Sequence, residues 1–196
     1  RHLAILGLSS EDLNQQDIIS AQLKSLNLAT AGFISLAEDS PLQLEALAQS
    51  SGNAATIPTE RVRFVADPRE LFADFNATGD RYVLAGRLSG SLKTAFPQRS
   101  GEGHLTESEV PASIVVVADT DLLTDRLWVQ VQSFFGQRVM NAFANNGDFV
   151  INAADNMVGS SDLIQIRARG SSSRPFTTVE ALKRQADDRF RAKEQE

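Results

Sequence analysis

The sequence predicts an α/β fold in which helices cover a layered β-sheet. Apolar runs of strand length alternate along the chain with stretches of helical spacing, an order typical of α/β domains. Residues 114–117 are four consecutive β-branched residues, which is typical of a central strand covered on both faces. The long run between residues 26 and 65 leaves room for antiparallel additions. A chain of 196 residues with 42% apolar residues can bury a substantial core, and we expect one domain.

Strands are predicted where apolar runs or alternating apolar residues occur. A short apolar run at residues 3–8 predicts the first strand, and alternation at Val62 and Phe64 predicts the second. The segment between the third and fourth strands, residues 97–112, has the Gly, Ser, Glu and Pro content of an exposed and flexible loop. With residues 3–8 as the first strand, the third, fourth and fifth predicted strands are residues 81–90, 114–117 and 163–169.

Three helices are predicted from capping residues and apolar spacing. Asp67 is placed to cap a short helix, with Pro68 at its first position and Glu70 where a capping-box carboxylate belongs. The clearest helix lies between Asn145 and Gly159, where apolar residues recur at helical spacing and the glycine suits a C-terminal cap. A last, densely charged helix is expected over residues 177–196.

The composition excludes several classes of function. The net charge is −6 and the 19 basic residues are scattered, so we expect neither nucleic acid nor an anionic lipid surface as a partner. No cysteine is present, which removes disulfides and thiolate chemistry. His2 and His104 are the only histidines, and His104 is expected to be an ordinary exposed side chain. No run reaches the roughly 18 apolar residues of a membrane span, so we expect a soluble fragment excised from a longer protein.

Asp119 and Asp121 follow the apolar run at 114–117, the position where ligands gather in open α/β sheets. Two carboxylates there could hold Mg²⁺, with Asp119 as nucleophile and Asp121 as general acid of a phosphohydrolase. Leu123, however, stands where that class has Thr or Val, and no supporting lysine is evident. The favoured interpretation is that Asp119 caps the turn after the strand or pairs with an arginine.

Other polar residues form a second candidate group. Asn152 and Asp155 are three residues apart and share one face of the predicted helix. Arg167 and Arg169 share one face of the strand at 163–169 and could bind an anion. More often such groups neutralise one another as structural contacts, because unpaired buried carboxylates are costly. We therefore predict a structural or ligand-binding polar cluster with no catalytic residue, metal or cofactor. The aromatic residues Trp128, Phe134 and Phe135 are expected to pack in the core rather than against a partner.

Three of these motifs together resemble a known family. They are the strand that ends in Asp119 and Asp121, the helix with Asn152 and Asp155, and the segment from Arg167 to Phe176. In this order and spacing they are similar to the extracytoplasmic region of gliding-motility-type ABC transporter auxiliary proteins. Residues 27–32, 47–54 and 82–97 also resemble segments of that family.

The resemblance implies a mostly parallel, Rossmann-like or glutamine-amidotransferase-like sheet that lacks the amidotransferase cysteine. It implies an extracytoplasmic α/β domain over residues 1–176, with the helix at 177–196 leading toward a membrane anchor in the parent protein. The implied partners are permease and ATPase subunits. The function expected is non-catalytic interaction or ligand sensing. The alternatives are the Mg²⁺-dependent phosphohydrolase and, more weakly, a carbohydrate-binding module, for which one Trp and one Tyr offer little stacking surface.

Overall fold

The computed structural model describes residues 2–134 and 137–159, without the side chains of 133–138. These residues lie in the first of two units of the chain, Arg1–Ile164. Short 3-10 turns occur at Ser10–Asp12 and Pro68–Phe72. The strands are β1 (Ile5–Ser9), β2 (Ser25–Ala29), β3 (Gln43–Gln49), β4 (Val83–Gly90), β5 (Ala112–Val117), β6 (Val129–Phe134) and β7 (Gln137–Ala142); the helices are α1 (Thr59–Arg63), α2 (Asp125–Trp128) and α3 (Asn146–Met157).

Every strand pair in the described ranges is antiparallel. β1 pairs with β2, with Leu6 opposite Leu28. The strands β3, β4 and β5 form a sheet in that order, with Leu88 of β4 opposite Ile114 of β5. β6 and β7 form a separate two-stranded ribbon. Among the helices of residues 2–134 and 137–159, none has the length and apolar character that crossing a membrane requires.

The predicted layered, mostly parallel sheet, Rossmann-like or glutamine-amidotransferase-like, is therefore wrong. Parallel neighbours need a crossover connection of a dozen or more residues, usually a helix. Here α1 has five residues and α2 has four, which is too short to span a sheet. Instead β4 and β5 pair as an antiparallel hairpin. The pairing continues beyond the two strands at the bridge between Lys93 and Glu107. The connections therefore reverse the chain direction at each pairing.

The run at 114–117 forms the predicted strand but not in the predicted central position, and the strand predicted at Val62 and Phe64 is wrong. Residues 114–117 belong to β5, which lies at the edge of its sheet with Ile114 37% exposed. A β-branched run indicates that the residues favour a strand, but it does not indicate how many strands lie beside it. The alternation at Val62 and Phe64 is part of α1 and its end, and Phe64 is 76% exposed. Three residues are too few to separate a period of two from a helical period.

Other predictions are confirmed. β1, β4 and α3 lie where expected, and Gly159 follows α3 with φ of +80°. Asp67 accepts a hydrogen bond from the main-chain N–H of Arg69 and caps the turn that begins at Pro68. That turn ends at Phe72, which is 43% exposed, whereas its neighbour Leu71 is buried.

The remaining predicted segments have mixed outcomes. Of the predicted loop at 97–112, residues 97–111 lie in a largely exposed connection between β4 and β5 and Ala112 begins β5; the flexibility of the loop stays a prediction. The strand at 163–169 and the helix at 177–196 lie outside the described residues. The domain boundary at 176 also stays a prediction.

One buried cluster contains residues of the β1–β2 pair, of the three-stranded sheet and of α3. Phe149 of α3 is buried in the same cluster as leucines of β2, β3 and β4. Burial of each such side chain contributes about 1.5–3 kcal/mol, so α3 is held on the sheets mainly by this apolar face. The buried members are Leu8, Leu13, Ile19, Leu23, Leu26, Leu28, Leu47, Ala48, Leu84, Ala85, Leu122 and Phe149.

Candidate functional site

The outer edge of β2 is closed by side chains instead of by another strand. The main-chain N–H of Thr30 donates to the carbonyl of Ala4, and the antiparallel register then turns alternate groups of β2 toward β1. Ser25, Asn27 and Ala29 therefore point their N–H groups away from β1. The acceptors are Asn145 Oδ1 at 3.2 Å, Asn146 Oδ1 at 3.1 Å and Asp119 Oδ2 at 2.7 Å. We call Asn145, Asn146 and Asp119 the β2 edge cap.

Asn146 is the most deeply buried member of the cap, with an exposed fraction of 0%. Its amide nitrogen donates to the carbonyls of Asn27 at 2.7 Å and Leu122 at 2.8 Å. Because its oxygen accepts from the N–H of Asn27, the side chain bonds that residue as a neighbouring strand would. Asn145 acts similarly on Ser25, whose carbonyl accepts from the Asn145 main-chain N–H at 3.0 Å. The start of α3 is thus fixed to β2.

Asp119 uses both carboxylate oxygens for main-chain contacts. Oδ2 accepts from Ala29, and Oδ1 accepts from the N–H of Asp121 at 2.6 Å, which closes the turn after β5. Asp121 does not share this site, since its carboxylate lies 3.7 Å from the guanidinium of Arg126 and is 41% exposed. The two aspartates face different neighbours and do not converge on one point.

The other predicted site residues are dispersed. Asn152 is buried on α3 and donates to the carbonyl of Ile19 at 3.0 Å. Asp155 lies half-buried one turn further along α3. Arg167 and Arg169 lie outside the described residues, so their pairing with these carboxylates stays a prediction. Within residues 2–134 and 137–159, no group of His, Asp or Glu side chains is placed to hold a metal ion.

A buried ion pair was missed by the sequence analysis. Arg87 of β4 makes a bidentate contact to Asp17, with Nη2 to Oδ2 at 2.8 Å and Nε to Oδ2 at 3.0 Å. Their side chains are only 17% and 7% exposed. Arg87 Nη1 also donates to Asn156 near the end of α3, at 2.9 Å. One guanidinium therefore ties the Asp17 turn and α3 to the three-stranded sheet.

A signal for this pair was present in the sequence. Arg87 is the one charged residue of β4, whose sequence is VLAGRLSG, and a buried arginine requires a carboxylate partner. The identity of that partner was not readable, because Asp17 lies 70 residues away in the chain.

Two other sequence predictions concern Trp128 and His104. A Cβ at Gly147 would lie 2.7 Å from the Trp128 ring, so the glycine lets α3 approach that ring closely. This contact agrees with the packing role predicted for Trp128. The prediction of an exposed His104 is wrong: the residue is half-buried, and its Nε2 is covered without a hydrogen-bond partner among the described residues. The side chains of Phe134 and Phe135 lie outside the described set.

The chain has a match among known protein families. A family model described as an ABC-type uncharacterized transport system matches residues 1–153. The chain belongs to this family. No curated protein and no solved structure matches the chain.

Membership in this transport family confirms the resemblance to ABC transport auxiliary proteins that the sequence analysis stated. The matched residues 1–153 run from β1 into α3 and so contain the whole β2 edge cap and the Asp17–Arg87 pair. The chain is thus part of an auxiliary component of an ABC transport system. The predicted motif from Arg167 to Phe176 lies beyond the matched residues.

Proposed function

We propose that the chain is a non-catalytic interaction or ligand-sensing domain of an ABC transport auxiliary subunit, located on the extracytoplasmic side of the membrane. The observation that carries the proposal is the state of Asp119. It is the residue best placed by sequence to be a nucleophile, and both its oxygens are engaged by main-chain N–H groups.

This engagement argues against the phosphohydrolase alternative. A nucleophilic carboxylate needs a free oxygen that can reach phosphorus, and a neighbouring general acid within reach of the leaving group. Turning Asp119 toward a ligand would leave the N–H of Ala29 without an acceptor, at a cost of about 1–3 kcal/mol. Asp121 faces Arg126 instead of the Asp119 carboxylate. The pair therefore supports a structural role better than a reactive one.

The proposed partners are the permease and ATPase subunits of the transport system, with membrane anchors supplied by the parent protein. Family membership supports an association with such a system. The net charge of −6 is consistent with protein or small-molecule contacts and disfavours nucleic acid.

The catalytic alternative is tested by phosphatase turnover. Purified chain is incubated with p-nitrophenyl phosphate and Mg²⁺, alongside an Asp119→Asn variant. We expect both proteins to stay at the rate of the buffer alone. Turnover by the unmodified chain that disappears in Asp119→Asn would contradict the proposal.

The proposed location is tested by thiol labelling. The chain has no cysteine, so Glu102→Cys in the exposed connection between β4 and β5 introduces a single reactive thiol. In spheroplasts that express the full-length protein in a cysteine-free form, a membrane-impermeant maleimide should label this thiol without lysis. The same protein without the substitution is the control. Labelling only after lysis would place the domain in the cytoplasm and overturn the proposed location.

A further inference from the structure

The outer edge of β5 presents a row of main-chain groups away from its sheet. The N–H of Ala118 donates to the carbonyl of Leu84 at 2.9 Å, and the regular register of β5 on β4 fixes the alternation that follows from this bond. Residues 114 and 116 therefore bond β4. Ser113, Val115 and Val117 turn their N–H and C=O groups outward.

These outward groups have no main-chain partner in the described part of the chain. Proteins usually protect such an edge with a lysine, a proline, a bulge or a very short strand. β5 itself has none of these devices, since its sequence is ASIVVV and its register on β4 is unbroken; the nearest proline, Pro111, precedes the strand. An edge of this kind is suited to pairing with another strand.

We propose that β5 pairs with β5 of a second copy of this chain, antiparallel, about a two-fold axis at Val115. In this register Val115 faces Val115 of the other copy, and Ser113 faces Val117. All three positions have outward groups, so each N–H of one edge meets a C=O of the other. The two three-stranded sheets then become one continuous sheet.

A second copy fits this edge because the edge is complementary to itself. In a contact with two-fold symmetry, each strand pairs with the same strand running in the opposite direction. The outward groups of β5 are arranged symmetrically about Val115 and therefore meet this requirement. Residues 110–118 contain no charged side chain, so the paired strands meet without repulsion. Beyond them the register places Glu109 opposite Asp121 of the other copy. These like charges weaken the contact, so added salt should strengthen it.

Sedimentation velocity over a range of protein concentrations tests the pairing. Ser113→Pro removes one outward N–H from each copy, at an edge position where proline is tolerated. Ser113→Ala is the matched control, because it keeps the N–H and loses the same hydroxyl contact to Arg87. We expect the unmodified chain and Ser113→Ala to dimerise alike, and Ser113→Pro to dimerise roughly tenfold more weakly. Equal dimerisation of all three, or a monomer throughout, would overturn the proposal.

Amide exchange of the unmodified chain gives a second test that does not depend on a variant folding. Protection of the Val115 and Val117 amides, measured by NMR, should rise with protein concentration together with the dimer fraction. Fast exchange at every concentration would mean that the edge stays open. Concentration-independent protection in a monomer would mean that another segment of the same chain occupies it. Either result contradicts pairing between copies.

Discussion

The outer edges of β2 and β5 present the same chemical problem and meet it differently. β2 turns the main-chain groups of Ser25, Asn27 and Ala29 outward, and Asn145, Asn146 and Asp119 bond them. β5 turns Ser113, Val115 and Val117 outward, and no described residue bonds them through the main chain. The difference teaches that polar residues at strand and helix ends can replace a missing strand. Their presence is not by itself a sign of chemistry.

The largest expected loss of stability comes from replacing Arg87, which bonds α3. Asn145 and Asn146 of the β2 edge cap lie at the start of this helix. Arg87→Met leaves Asp17 buried without its cation and removes the contact to Asn156. We expect the free energy of unfolding to fall by about 3–5 kcal/mol, measured by urea denaturation. In the double variant Asp17→Asn, Arg87→Met, part of this loss should be recovered, because the uncompensated charge is gone. Additive losses would show that the pair does not couple.

The cap itself is tested next by Asn146→Ala. The change leaves the N–H and C=O of Asn27 and the C=O of Leu122 without partners in a buried site. We expect a loss of about 3 kcal/mol in the free energy of unfolding. Asn141→Ala on β7, where the side chain is exposed, is the control and should change stability by less than about 0.5 kcal/mol. Similar small losses for both would show that the cap contributes little.

Asp119→Asn should have an intermediate effect. The amide can accept one of the two main-chain hydrogen bonds, but its NH₂ group then faces the other N–H, donor against donor. We expect a loss of about 1–3 kcal/mol in thermal or chemical unfolding. Asp121→Asn is the matched control, since that carboxylate is partly exposed and makes only a long contact to Arg126. A larger loss for Asp121→Asn would reverse the roles assigned to the two aspartates.

On the β5 edge, substitution of an exposed side chain should barely change the stability of the single chain. Ser113→Thr keeps a hydroxyl and the outward N–H, so we expect a change within about 0.5 kcal/mol at concentrations below dimerisation. A loss comparable to that of Asn146→Ala would mean that the side chain at position 113 is packed within the chain and is not exposed.

The smallest effect concerns Asp67, which caps the turn at Pro68–Phe72. Hydrogen bonds from the Arg69 side chain, and then from its main-chain N–H, hold the pKa of Asp67 below its ordinary value of 3.8. Because the folded pKa is lowered, the contribution of this cap is complete above pH 3.8 and is lost as the pH falls through the folded value. NMR titration of the Asp67 carboxyl carbon measures it. In Arg69→Ala the pKa should return toward the ordinary value, and an unchanged titration would contradict the assigned cause.

Local features of this chain were readable from its sequence, and long-range ones were not. The spacing of Phe149 and its neighbours predicted α3, and Asp67 with Pro68 predicted the start of a short helix, found as a 3-10 turn, because both depend on adjacent residues. The run at 114–117 was placed at the centre of a sheet, since its side chains report burial preference and not the neighbours of its strand. The role of Asn146 could not be read, because its partner Asn27 is 119 residues away.

The main-chain amide of Ala29 tests most directly whether Asp119 is a structural cap. Its hydrogen exchange is measured by NMR in the unmodified chain and in Asp119→Ala, under conditions where both stay folded. We expect strong protection, independent of protein concentration, in the unmodified chain and a selective loss of protection at Ala29 in the variant. Fast exchange of this amide in the unmodified chain would show that the Asp119 carboxylate is free for another role and would contradict the account.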